Sequence, residues 1–287
     1  MRKKLELYLI KFFKLQTTNF LLFPFRIAFE LWGKRELIAH FTWREFVGRY
    51  RGAHLGLVLS VASPLLLMVV YTVVFGFLFK GAFPGGDGKV PFALALFSAL
   101  IFFQLFGDTI GRASSLLATN PGFITKVVFP LEILPITLLG SSFLHFLCSL
   151  SVLLAGVLLM THTLQWTVLL LPLLVLPVLL LSLGIAWALA ALGIYFRDLE
   201  ALIPPMLMAL TFMSAIFYPL STIPQEFHWV ALLNPFVGFS EMARAILVFG
   251  EVPDWKVWLY CCGVSIAACL AGYFAFMRLK KGFSDAL

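Results

Sequence analysis

The chain has 287 residues, 61% of them apolar, 16% aromatic and only 12% charged, with a formal net charge of +7 and a mean hydropathy of +0.99. So little charge beside 31 phenylalanines excludes a water-soluble globule, and the same hydrophobicity excludes a disordered chain. Four cysteines are too few for a disulfide scaffold, which leaves an all-α integral membrane protein of about half a dozen helices.

Residues 1–56 precede the first long apolar run. Their basic start imitates a signal peptide, but Lys11 and Lys14 interrupt the apolar core that should follow, and no small-residue cleavage pattern appears. The segment mixes basic residues with Leu5, Leu9, Phe12, Phe13, Phe20, Phe23 and Phe25. A second stretch, 36–51, mixes charges with Leu37, Ile38, Phe41, Trp43, Phe46 and Tyr50. Both have the composition of helices lying on a membrane surface, so 1–56 is read as an interfacial amphipathic segment ahead of a membrane domain over 57–287.

A crossing helix needs about 20 mostly apolar residues. Runs free of Lys, Arg, Asp and Glu cover 52–79, 90–107, 133–196, 201–225 and 257–277. The third is long enough for two crossings, and the polar break Thr161-His162-Thr163-Leu164-Gln165 is the place to turn. Six spans follow: about 57–79, 92–117, 134–160, 166–194, 201–219 and 257–277. An even count puts both termini on one side. With the termini inside, 17 of the 21 Lys and Arg residues fall on inside segments, which places both ends in the cytoplasm. The positive charge then serves anionic lipid, with no need of nucleic acid.

Between spans five and six, 220–254 stays apolar yet carries Pro224 and Pro235 and the charges Glu226, Glu241, Arg244 and Glu251. One helix cannot run through those prolines. Two short helices broken near Asn234-Pro235, dipping into the outer leaflet and returning, fit better.

Chemistry of its own is scarce in this chain. Gly85-Gly86-Asp87-Gly88-Lys89 imitates a phosphate-binding loop, but Phe83 stands where the first glycine should be and Val90 replaces the metal-binding hydroxyl. His145 and Cys148 are too few for a zinc site and read as packed residues within span three. Asp108 is a deep acid with no second acid one turn away, and Arg112 at i+4 is its expected partner. No catalytic, cofactor or metal site is expected. A membrane enzyme acting on lipid-linked sugars would need clustered acids or a base near a membrane face.

Four segments carry a family resemblance. They are Arg49-Tyr50-Arg51 with Leu55-Gly56 and Pro64; Asn120 with Lys126, Phe129-Pro130, Glu132 and Pro135; Tyr195-Phe196-Arg197-Asp198-Leu199; and Tyr218-Pro219, Pro224, Asn234-Pro235 and Arg244. In this order, on a six-span topology, the chain resembles the membrane subunit of type-2 ABC exporters, specifically the Wzm-like permeases for O-antigen, capsule and teichoic acid. The resemblance implies a homodimeric permease in the bacterial inner membrane, bound to two copies of a nucleotide-binding subunit that holds ATP and Mg. It implies a polysaccharide substrate linked to undecaprenyl diphosphate. A type-2 exporter of a small lipid or drug is the alternative within transport.

The resemblance also assigns roles. Asn120, Lys126, Phe129, Glu132, Arg197 and Asp198 would couple the chain to its ATPase, although the first loop taken alone reads as an ordinary polar turn and Arg197 could simply pair with Asp198. Arg49, Arg51 and His54 would meet a lipid diphosphate or anchor anionic lipid. Tyr71, Phe75 and Phe79 form an i, i+4, i+8 stripe which, with Phe212 and Tyr218, would line a channel or pack between helices. Pro224, Asn234, Pro235 and Arg244 would form a periplasmic gate.

Overall fold

The computed structural model describes residues 32–50, 56–74, 92–125 and 129–283. The residues before 32, Arg51, His54, Phe75, Phe79, the 80–91 loop and Lys126 lie outside the described residues. The chain divides into two compact units, 1–41 and 42–287. In the first, the Arg35 guanidinium lies 5.8 Å from the centre of the Trp32 ring, where helix α1 (Arg35–Gly48) begins.

The second unit holds the rest of α1, then α2 (Leu59–Tyr71), α3 (Phe92–Ala113), the single turn α4 (Gly122–Thr125), α5 (Ile133–Thr161), α6 (Leu171–Tyr195), α7 (Leu199–Met213), α8 (His228–Leu233), α9 (Pro235–Arg244) and α10 (Trp255–Leu279). Every regular element among the described residues is helical. Among the described residues, four helices are long and apolar enough to cross a membrane: Phe92–Ala113, Ile133–Thr161, Trp166–Tyr195 and Trp255–Leu279. Each falls within a few residues of an expected span. The turn between α5 and α6 is where the polar break puts it, with His162 in the left-handed region at φ 57° closing α5.

The first and fifth expected spans are shorter. Helix is described from Leu59 to Val74, with the remainder outside the described residues. α7 ends at Met213 rather than near 219, at about 22 Å against a hydrocarbon core of about 30 Å. Beyond it Ala215 takes φ 51°, a conformation that carries a helix no further. The chain breaks at Asn234-Pro235, where a break is expected: 225–233 and 235–249 meet at 103°.

α3 is the core helix, buried along most of its length from Ala93 to Ala113. Phe102 packs on Phe146 of α5, and Phe103 and Phe106 on Phe236 of α9, at ring centroid distances of 5.0, 5.3 and 4.5 Å. Four hydroxyls within the apolar helices are answered locally. Ser98, Thr109, Ser182 and Thr211 each donate to a carbonyl three or four residues back, so none of these four is left bare in an apolar surround.

Candidate functional site

Two polar clusters stand out against the apolar bundle, one toward each end of α3. At the end where α3 finishes, the second half of α1 and the residues just after it present Thr42, Glu45, Phe46, Arg49 and Tyr50. The spacing i, i+3, i+4, i+7, i+8 puts them on one helical face, while Trp43 and Arg44 point away and are exposed. Arg49 donates through Nη1 to Asp108 Oδ2 at 2.8 Å and through Nη2 to Ser142 Oγ at 2.9 Å. Arg112 donates to Glu45 Oε1 at 2.8 Å. Tyr50 Oη lies 3.0 Å from His145 Nδ1. Burial pushes the Tyr50 phenol upward, so it is un-ionised at neutral pH. Thr42 packs on the bare backbone of Gly140, where an added β-carbon would come within 2.7 Å of Thr42 Oγ1.

This arrangement corrects the expected Asp108–Arg112 ion pair. Arg112 Nε reaches only the Asp108 backbone oxygen, at 3.4 Å, while each side-chain charge goes to the α1 face instead. A neighbouring helix offering both signs at matching heights displaces the local i, i+4 contact. Arg49, read from sequence as facing lipid, has its guanidinium turned toward α3 and α5. His145 is held by Tyr50, and Cys148 Sγ lies 3.7 Å from Ser60 Oγ.

Beyond α3, Asn120 closes the chain by donating to Leu116 O at 2.9 Å, and the Phe123 and Phe129 rings lie 4.6 Å apart. Glu132 turns inward. Its side chain is 11% exposed and accepts from Lys280 Nζ at 2.7 Å, and its backbone oxygen accepts from Trp187 Nε1 at 3.0 Å. Arg197 and Asp198 are exposed in the α6–α7 turn, with no ion pair between them among the described residues.

Toward the other end of α3 the second cluster is built around a buried arginine. Asn234 caps α9 by accepting from Phe236 N at 3.0 Å and donates to Met213 O and Ser214 Oγ, both at 3.1 Å, while Pro235 supplies the fixed first helical residue. Arg244, 1% exposed, donates to the carbonyls of Ala215 and of Ile216 (2.7 Å), to Ala95 O (3.4 Å) and to Glu241 Oε1 (2.9 Å). Glu241 Oε1 also accepts from Leu220 N at 2.9 Å. One Arg–Glu pair thus fastens α9 to the start of α3 and to the unwound stretch after α7. Pro224 opens a single turn on the exposed surface. Tyr218 donates to Phe212 O at 2.9 Å, and the Phe212 and Phe217 rings stack at 5.4 Å.

Sequence reasoning missed Glu45, Glu241 and the partners of Asp108. The signal was there for the first in the mixed-sign 42/45/46/49 stripe, and for Glu241 in its i, i+3 spacing from Arg244.

The profile of the ABC-2 type transporter family matches residues 36–248, from α1 to the turn that ends α9. The chain is 28% identical over 264 residues to the O-antigen export system permease protein RfbA of Myxococcus xanthus, covering 91% of this chain and 99% of that protein. It is 26% identical over 255 residues to a protein of the same name from Klebsiella pneumoniae, covering 88% and 95%. It is 25% identical over 216 residues to the polysialic acid transport protein KpsM of Escherichia coli, covering 74% and 81%.

Proposed function

Because the chain belongs to the ABC-2 type transporter family, we propose that it is the permease subunit of an ATP-driven exporter carrying a lipid-linked, O-antigen-like polysaccharide from the cytoplasm across the bacterial inner membrane. The observation that carries this reading is its likeness, nearly end to end, to O-antigen export permeases of two organisms. The energy comes from a partner. Two copies of this chain form the conduit, each docked to an ABC nucleotide-binding subunit that holds ATP and Mg, and the polymer travels on undecaprenyl diphosphate.

In this reading six spans cross the bilayer: α2 and its continuation, α3, α5, α6, α7 with its unwound end, and α10. Both termini and the segment 1–56 lie on the cytoplasmic side, where the positive charge is concentrated. The α3–α5 loop with Asn120, Lys126 and Phe129, and the turn with Arg197 and Asp198, take the push of the ATPase. Glu132 serves from within by bracing that loop to Lys280. Arg49, Arg51 and His54 receive the diphosphate. Tyr71, Phe75, Phe79, Phe212 and Tyr218 offer the sliding polymer a succession of weak ring contacts.

The pair α8–α9 is the re-entrant gate, built on Pro224, Asn234, Pro235 and Arg244. What supports this is the run of contacts along α3. Phe236 meets Phe103 and Phe106 well along that helix, and Arg244 meets Ala95 near its start. A chain that enters to roughly mid-depth at Asn234-Pro235 and returns would make these contacts.

Deleting the gene tests the reading. Surface polysaccharide should disappear while lipid-linked polymer accumulates inside, and restoration should require both this chain and an ABC ATPase that co-purifies with it. Polymer reaching the surface at a normal level in the deletion strain would overturn it.

A further inference from the structure

We propose that the α1 face from Thr42 to Tyr50 is a detachable latch: it is docked on α3 and α5 in the state described and must part from them during each transport cycle. The inference rests on the exporter reading and adds a moving part to it.

Polar groups dominate what holds the contact. Of the five residues on the docking face only Phe46 is purely apolar. The rest of the hold is the pair Arg49–Asp108, the pair Glu45–Arg112 and the hydrogen bonds to Ser142 and His145. Two cations and two anions balance across the seam, so no net charge stays behind to draw a counter-ion. The side chains of Arg49, Asp108, Arg112 and Glu45 keep 17%, 38%, 37% and 39% of their exposure, so neither ion pair is sealed within the chain, and such pairs hold weakly. The closed arrangement also leaves donors unused: among the described residues, Arg49 Nε and Arg112 Nη2 are buried without a hydrogen-bond partner. Parting the seam gives both to water, which offsets part of the loss of the ion pairs.

The Arg244–Glu241 pair shows the opposite design in the same chain. There the arginine is 1% exposed and is met by three carbonyls besides the carboxylate, so opening would strand a charge in an apolar surround. One ionic seam is built to stay shut. The other, with part of every charge left uncovered and donors to spare, is built to open.

The geometry offers a lock. A β-carbon built on Gly140 would lie 3.4 Å from the Thr42 β-carbon, close to disulfide spacing. In a chain with its four native cysteines replaced, Thr42→Cys and Gly140→Cys are introduced together and the permease is purified with its ATPase. ATP hydrolysis is measured on that complex, and surface polysaccharide in cells carrying it. Oxidation should cut both by about tenfold and reduction should restore them, with each single-cysteine chain indifferent to the oxidant. Undiminished turnover and export by the fully cross-linked complex would overturn the latch.

A second arm covers failure of that pair to assemble. In a chain that keeps Thr42 and Gly140, Glu45→Arg and Arg112→Glu should each impair export, and the double exchange should restore it. Failure of the double exchange to restore export would count against the ionic seam. Cross-linking yield between the two introduced cysteines, compared with and without ATP, is read independently of any sugar. It should fall when ATP is bound, and an unchanged yield would refute the opening. Normal surface polysaccharide in the gene-deletion strain would instead strike the exporter reading, leaving this yield to judge the latch.

Discussion

Gly272 of α10 lies so close against Gly184 of α6 that a β-carbon on Gly272 would collide with the Gly184 carbonyl oxygen, and one on Gly184 would collide with the carbonyl oxygen of Ala268. Helices in lipid gain little from burying apolar surface against each other, so close backbone approach is a principal source of their adhesion. Gly272→Ala should force α6 and α10 apart and destabilise the pair by about 3 kcal/mol. Gly263, earlier on α10, has nothing within 4 Å of its β-carbon position. Thermal unfolding of the purified complex should therefore show a lower midpoint for Gly272→Ala and little change for Gly263→Ala. Equal midpoints would mean that the seam does not hold the bundle.

Arg244→Met tests the buried clamp. It would remove the donor shared by Ala215, Ile216 and Glu241 and leave their oxygens facing an apolar side chain. Leaving buried carbonyls without their donor costs about 1–3 kcal/mol, so a loss of folded protein is expected. Arg244→Lys should recover only part of it, because an ammonium lacks the planar fork that spans two neighbouring carbonyls and a carboxylate. Recovery of folded, detergent-stable protein measures the order: wild type, then lysine, then methionine.

How much of this was legible beforehand varies with the range of the interaction. The four long spans follow from uncharged runs, and the break at Asn234-Pro235 from the fixed geometry of proline, both of which are local. The end of α7 was not legible. Ala215 has no turn signature, and its carbonyl, at a residue of positive φ, is held by Arg244 from 29 positions away. Asp108 was assigned the wrong partner for the same reason, since sequence spacing offers Arg112 while the fold offers Arg49, 59 residues away. Nor does sequence spacing join Glu132 to Lys280, 148 positions on.

Asn234 carries three hydrogen bonds at the sharp bend, one capping α9 and two holding the end of α7. Asn234→Ala should cost about 1–2 kcal/mol through the lost cap alone. Asn234→Asp keeps the cap acceptor but cannot donate to Met213 O or Ser214 Oγ. It should therefore retain α9 and loosen only its tie to α7, visible as faster labelling of a cysteine introduced by Met213→Cys. Labelling as slow as without the aspartate would show that the two donated bonds do not hold that tie.

An internal brace and a docking contact answer substitution differently at Glu132. If Glu132 serves chiefly by pairing with Lys280, Glu132→Gln should lower thermal stability even in the permease purified without its ATPase, by about 1–3 kcal/mol, because an ammonium loses its charged partner at a largely buried position. The exchange Glu132→Lys with Lys280→Glu should then restore stability, since the two side chains face each other and the pair survives reversal. A contact made only with the ATPase behaves otherwise. Stability of the isolated permease would not move, the exchange would not rescue, and only the affinity for the ATPase would fall. Measuring both the unfolding midpoint and the ATPase affinity for wild type, Glu132→Gln and the exchange decides between the two, and an unchanged midpoint for Glu132→Gln would return this residue to the docking surface.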